Sequence, residues 1–408
     1  MTQSSKAPTF QAAPPALLFI TLLLIALNLR PVLASIGPLL DAMKQELTIS
    51  YATASMLTTL PVAAMGAACF FGFAIASRFG MRPTISFSLV TLALATGLRF
   101  FVDSSFSLIL SALAAGLGIA LIQCLVPAII KANYPARIAA MMGFYITAIM
   151  AGASLGSAVS PWFASFSAWR GGLGHWVWLA VAALVLWSLF SHRWHLPTQS
   201  AAGGATTRFW QHSRAWQLAM MFGLGTAAFV CVLAWLAPYA MENGMSAQQA
   251  GLLMGYLTLM EVLAGLLFPA WASRRNDRRI VLITLCLFQA AGFFGLMLAP
   301  HISLWFWATL LGLGVGGMFP MVMIVTMDHQ EDPVMAGKLA AFVQGIGYLV
   351  ASIAPWVAGI IRDKLASFDM AWLMLAVGAF VLLLLSLSLT PSSYARAFKV
   401  NLQPCPQV

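Results

Sequence analysis

Apolar runs of about twenty residues, divided by short polar breaks, follow one another along the whole chain. They fall near residues 16 to 38, 52 to 73, 83 to 102, 106 to 130, 138 to 162, 174 to 190, 214 to 240, 248 to 271, 280 to 299, 303 to 327, 336 to 361 and 370 to 389. A helix of about 20 apolar residues matches a hydrocarbon core of roughly 30 Å, so the pattern predicts an all-α membrane protein with twelve transmembrane helices. Glycines and prolines inside the runs fit this reading, because neighbouring helices re-satisfy the backbone groups they free. The first run reads as a span and not as a cleaved leader. It is too long, it carries Arg30-Pro31, and no small-residue cleavage site follows it.

Composition agrees. With 61% hydrophobic and 8% charged residues, the 408-residue chain has too little polar surface to cover a soluble globule. Its net charge of +10 is unevenly placed. If the N-terminus is cytoplasmic, only Lys44, Arg99, Arg170, Arg362 and Lys364 fall on the far side, and Arg30 lies within a span. The remaining Lys and Arg lie on the cytoplasmic side, as expected for an inner-membrane protein with both termini inside. No basic stripe on a soluble surface supports nucleic-acid binding. Cys69, Cys124, Cys231, Cys286 and Cys405 form no CxxC pair and read as small hydrophobes.

The longest polar break, from about Ser191 to Ser213, separates two sets of six spans that resemble each other. Ala76-Ser77-Arg78 with Arg82 recurs as Ala272-Ser273-Arg274 with Arg278, an offset of 196 residues. Gly116-Leu117-Gly118 recurs as Gly312-Leu313-Gly314 at the same offset, and Ser160-Pro161-Trp162 is echoed by Ala354-Pro355-Trp356 at 194. The expected organisation is a tail (1–15), a six-helix bundle (16–190), a cytoplasmic linker (191–213), a second bundle (214–390) and a tail (391–408). Parallel six-helix repeats with a binding site between them at the bilayer midplane describe a rocking secondary transporter.

The loop Phe73-Ala74-Ile75-Ala76-Ser77-Arg78-Phe79-Gly80-Met81-Arg82 resembles the signature of the major facilitator superfamily, Gly-x-x-x-Asp-Arg-x-Gly-Arg-Arg, in Arg78, Gly80 and Arg82. Its Asp is replaced by Ser77, and by Ser273 in the second copy, residues that can still cap a helix. Within that superfamily, Asn28-Leu29-Arg30-Pro31-Val32-Leu33-Ala34-Ser35-Ile36-Gly37-Pro38 is similar to the first helix of the cyanate and 2-nitroimidazole transporter branch. The similarity reappears at Met327-Asp328-His329, Ala336-Gly337-Lys338-Leu339 and residues 341–348, so it covers essentially the whole chain. It implies two pseudo-symmetric bundles, a monomer, and a small-molecule substrate.

Arg30 stands about halfway along the first span. A charge at that depth costs roughly 2.5 to 3.5 kcal/mol on insertion scales and normally faces a cavity or a partner. It reads either as a cation bonded to carbonyls freed by Pro31 and Pro38, or as a planar fork gripping a small anion. Asn28 falls on almost the opposite face of an ideal helix, though the proline kink can bring it round. Glu261 is the one acidic residue expected deep in the membrane, as partner of Arg30, as substrate contact or as proton carrier. Gln123, Tyr145, Gln344 and Tyr348 can line the same cavity or merely bond across helices, worth roughly 0.6 to 2 kcal/mol each. Gln289 faces the same ambiguity, and Trp235, Tyr239 and Tyr256 read as aromatic walls or interfacial anchors.

At the cytoplasmic mouth, Arg78, Arg82, Arg274, Arg278 and Asp328 form an expected charge-paired gate. Asp328-His329 beside Glu331 and Asp332 suits that gate better than a metal site, and no metal or other cofactor is expected. There is no Walker loop for ATP-driven transport, and no catalytic triad or Rossmann fingerprint, so no enzyme is expected. The expected function is proton-linked alternating-access transport of a small anionic or polar nitrogen-containing solute. The alternative is a proton-coupled exporter of small neutral or weakly basic drugs such as nitroimidazoles. Gly143, Gly152 and Gly156 are reminiscent of the motif of such exporters, with Ser157 where their Pro stands; small-residue packing explains the same glycines.

Overall fold

The first apolar run does not form one helix. In the computed structural model, which describes residues 15–134, 137–194, 196, 209–275, 277–330 and 333–398, it divides into α1 (Pro15–Leu27), α2 (Pro31–Ala34) and α3 (Ile36–Leu47). The chain continues through α4 (Tyr51–Phe79), α5 (Met81–Gly97), a 3-10 turn (Leu98–Phe101), α6 (Ser105–Asn133), α7 (Ile138–Gly174) and α8 (Val177–Phe190). The second half comprises α9 (Ser213–Glu242), α10 (Ala247–Ser273), α11 (Arg279–Leu298), α12 (Leu304–Asp328), α13 (Pro333–Leu365), α14 (Asp369–Leu387) and the short α15 (Pro391–Ala397). No strand occurs among the described residues.

Two prolines explain the broken first helix. Pro31 and Pro38 lack an N–H, so the carbonyls of Leu27 and Ala34 lose their helical donors. Both carbonyls turn to α7. Leu27 O lies against Gly152, where any side chain would collide with it. Ala34 O accepts a hydrogen bond from Ser157 Oγ at 3.1 Å. The glycines of α7 are therefore a seat for the interrupted helix.

Among the described residues eleven of the spans are long and apolar enough to cross a membrane; the sixth, Val177–Arg193, is shorter. Its 14-residue α8 runs on into a 3-10 turn at Ser191–Arg193. The fifth span is longer than its apolar pattern suggests, reaching Gly174, with non-helical backbone at Ser167 and Ala168. Arg99, counted with the far-side charges, is fully buried, donating to Val32 O at 2.8 Å and to Ser111 Oγ at 3.3 Å. The stretch after residue 390, expected as a tail, begins with α15. Most of the linker, the outer parts of both tails, Cys405, Glu331 and Asp332 lie outside the described residues.

α4 and α10 begin 196 residues apart, at Tyr51 and Ala247, and each packs against a helix of the other half: α4 on α13, and α10 on α7. Glycines permit the close crossings. A side chain on Gly251 would strike the carbonyl of Ser157, and one on Gly345 the ring of Phe70. Of the helices that start on the face opposite the chain ends, four, α4, α6, α10 and α12, open with a serine cap: Ser50, Ser104, Ser246 and Ser303. Their hydroxyls accept from backbone N–H groups that no helical carbonyl reaches.

Candidate functional site

The break between α1 and α2 places Arg30 at the N-cap of α2, with backbone outside the continuous helix. Its residue is 6% exposed, yet it makes no hydrogen bond or ion pair among the described residues, and its Nε is buried without a partner. The carbonyls freed by the prolines are therefore not its ligands. What it meets is an aromatic face: its guanidinium carbon lies 5.3 Å from the ring centroid of Phe229 on α9.

Glu261 is buried on α10, and its Oε1 has no partner. Its position follows from α12, where Gly316 lets the backbone of α10 approach so closely that a side chain there would overlap the Glu261 main chain. Glu261 and Arg30 are near enough for each to act on the other electrostatically, but they form no ion pair. The guanidinium and the carboxyl group thus lie near one another without contact.

Tyr145 and Tyr348 complete the group. Both are buried and within the electrostatic reach of Arg30. The Tyr145 hydroxyl has no partner, and the Tyr348 ring stands edge-on to Phe222 at 5.1 Å. Cys124 lies near Tyr145, and Cys69 near Tyr348. Arg30, Tyr145, Phe229, Glu261 and Tyr348 thus converge from the broken first helix, α7, α9, α10 and α13, across both halves of the chain.

Not every expected residue joins them. Gln344 donates from Nε2 to Met323 Sδ at 3.6 Å, and Gln123 is partly buried with an unpaired Oε1; neither has a described contact with Arg30 or Glu261. Four other candidates are engaged between helices. Gln289 donates to Gly314 O at 3.1 Å, Trp235 to Pro355 O at 3.1 Å and Tyr239 to Leu296 O at 2.6 Å, and Tyr256 pairs with Thr309 at 2.8 Å. Asn28, just before the break, is fully buried, and both polar atoms of its amide lack partners.

The expected gate residues are held within their own halves. Arg82 donates to Ser191 O and His192 O, both at 3.0 Å, tying the start of α5 to the end of α8. Arg278 pairs with Asp328 at 3.3 Å and also meets the carbonyls of Ala272 and Arg275. Arg78 and Arg274 are exposed. The described side-chain hydrogen bonds that cross between halves lie elsewhere. Ser154 Oγ donates to Gly255 O at 3.3 Å, and at the far face Tyr51 and Ala52 meet Asp363 while the Tyr51 hydroxyl meets Glu242. The far face is closed in this structure.

A family model described as Major Facilitator Superfamily matches residues 18–355. The chain belongs to that superfamily. The cyanate transport protein CynX of Escherichia coli (strain K12) is 36% identical over 375 residues, covering 92% of this chain and 97% of that protein. The 2-nitroimidazole transporter of the same organism is 28% identical over 358 residues, covering 87% and 91%. Among solved structures, the inward open conformation of the xylose transporter XylE from E. coli aligns with a TM-score of 0.72 at 11% identity, over 94% of this chain and 99% of that one. The major facilitator fold and the relatives make this chain a multi-pass secondary transporter of small solutes and not an enzyme.

Proposed function

We propose that this transporter carries a small, charge-delocalised anion of the cyanate kind across the bacterial inner membrane, anchored on Arg30 and linked to protons through Glu261. The observation that carries the reading is a buried arginine with no hydrogen-bonding or ionic partner among the described residues. A guanidinium in that state lacks the pairing that buried charges ordinarily have, and a planar anion is the ligand its fork fits best. Tyr145 and Asn28 offer further donors, and Phe229 closes one side with an apolar face. A relative that covers 92% of this chain is named for cyanate, which has this chemistry.

In the proposed cycle the chain acts as a monomer with its termini, and the Arg78, Arg82, Arg274, Arg278 and Asp328 groups, on the cytoplasmic side. The two halves rock about the α4–α13 and α7–α10 seams, exposing Arg30 to each side in turn. An anion arriving between Arg30 and Glu261 weakens the hold of the guanidinium on the carboxylate and favours its protonation, so anion and proton move together. Gln123 and Gln344 stand as outer contacts of the same path.

Purified protein, in detergent, tests this by thermal shift against cyanate, thiocyanate, bicarbonate and 2-nitroimidazole. A ligand that binds only the folded protein raises its melting temperature by mass action. Stabilisation by cyanate that disappears in Arg30→Gln is expected. The unpaired Glu261 and the second relative support another reading, export of nitroimidazoles with Glu261 as proton carrier. Stabilisation by 2-nitroimidazole that survives Arg30→Gln and fails in Glu261→Gln would replace the first reading with this one.

A further inference from the structure

The starts of α4 and α10 occupy equivalent places in the two halves, and each presents unpaired N–H groups at the face opposite the chain ends. They are capped differently. α10 is self-sufficient: Ser246 Oγ accepts from Gln249 N at 3.2 Å, and Gln249 Oε1 accepts from Ser246 N at 2.9 Å, a complete capping box. At α4 the serine does part of the work. Ser50 Oγ accepts from Thr53 N at 3.0 Å. The N–H groups of Tyr51 and Ala52 are taken by the other half of the molecule: they donate to Asp363 Oδ1 at 2.9 Å and Oδ2 at 2.8 Å. Asp363 sits in the last turn of α13, 312 residues away from Tyr51 in sequence.

The surrounding groups reinforce this junction. The Tyr51 hydroxyl donates to Glu242 Oε1 at 3.1 Å, and the same oxygen accepts from Arg362 Nη2 at 2.6 Å. Arg362 also stands over the Tyr51 ring at 4.8 Å, and Lys44 approaches that ring at 2.9 Å from its centroid. Gly359 leaves room for the first turn of α4 to lie on α13, since a side chain there would strike the Tyr51 carbonyl and Ala52 Cα.

We infer that Asp363 is the latch of the far-side gate, a helix cap supplied in trans whose release accompanies opening of that face. Whenever the halves separate at this face, a charged acceptor leaves the positive end of a helix and two backbone donors pass to water. Nothing comparable is broken at α10, because its cap travels with it. The far-side equilibrium is therefore biased by a carboxylate of the second half acting on the backbone of one helix of the first, beside the side-chain bond of Tyr51 to Glu242. The inference needs no assumption about which solute is carried.

The test is made on the full chain, with its native cysteines replaced, in right-side-out vesicles and without substrate. A reporter cysteine is placed at Ala54, which is 3% exposed one turn below the latch, and its reaction with a membrane-impermeant maleimide is timed. Asp363→Ala is expected to speed labelling at least threefold, with Asp363→Asn, which keeps one acceptor oxygen, between it and the parent. Ser246→Ala is the control: losing a cap within one half is expected to lower the melting temperature and leave labelling unchanged. Equal labelling in the parent, Asp363→Asn and Asp363→Ala overturns the inference. If Asp363→Ala does not fold, hydrogen exchange in the unsubstituted protein decides: protected Tyr51 and Ala52 amides support the latch, and exchange as fast as at a free helix end rejects it.

Discussion

Arg30 and Glu261 were legible as candidates because a charge inside an apolar run has no camouflage, and the structure brings both, with Tyr145 and Tyr348, to one place. Phe229 had no such contrast, being one more aromatic among apolar neighbours. Asn28 keeps a helical bond to Leu24 O just after the last residue of α1, and the break that follows it was legible only as the Pro31 kink. Arg99 misled in the opposite sense: lying at the end of an apolar run it read as a far-side charge, whereas it reaches inward to Val32 O beside the Arg30 break. At this scale the proposed anchor makes a graded prediction. Each hydrogen bond to a charged group is worth about 1.5 to 3 kcal/mol, so Arg30→Gln should weaken anion binding by roughly tenfold or more. Arg30→Lys should fall between, keeping the charge but losing the fork. Titration calorimetry with the anion found in the stability screen reads both. Glu261→Gln should retain binding and abolish the dependence of uptake on an imposed pH gradient, measured in proteoliposomes; a retained dependence removes Glu261 from the coupling.

The positions of the long helices could be read from hydropathy, because a bilayer demands a minimum apolar length. Their interruptions could not, since a proline announces a lost donor without saying what replaces it. Here the replacements sit on α7. Gly152→Val should drive a side chain into Leu27 O and part α1 from α7, an overpacking cost of about 1 to 3 kcal/mol, seen as a lower melting temperature in detergent. α15 left no hydropathy signal at all. It is held by chemistry instead: Arg214 donates to Ser393 Oγ at 2.9 Å, and the Tyr394 ring stacks on His329 at 4.2 Å. Burial, aided by Arg214, holds the His329 imidazole below its ordinary value of 6.5, against the opposing pull of the Val325 carbonyl and Asp328. Its Nε2 is buried and unpaired, so a proton there finds no acceptor. Below about pH 6.5 the undocked state binds more protons than the docked one, so docking weakens as pH falls and is unaffected above that value. Limited proteolysis should therefore cut near α15 faster at pH 5.5 than at pH 7.5, and His329→Phe should flatten that difference.

For the whole molecule, duplication was visible as an offset of 196 residues and reappears as the exchanged pairing of α4 with α13 and α10 with α7. The unequal capping of the two equivalent helices was not visible, because it depends on Asp363 from the other half. Orientation is checked directly: with a membrane-impermeant maleimide on intact cells, a cysteine at Asn243 should react and one at Ser77 should not, both positions being exposed. The sixth span carries a different consequence. Its 14 helical residues cover about 21 Å and the 3-10 turn adds roughly 6 Å, which leaves it short of a hydrocarbon layer of about 30 Å. Lipid beside α8 must thin or the helix end must be drawn inward, and α8 is joined to α5 through Arg82. Bilayer thickness thus becomes a mechanical load on one corner of the first half, and the acyl-chain length of the host membrane a variable to which turnover should respond.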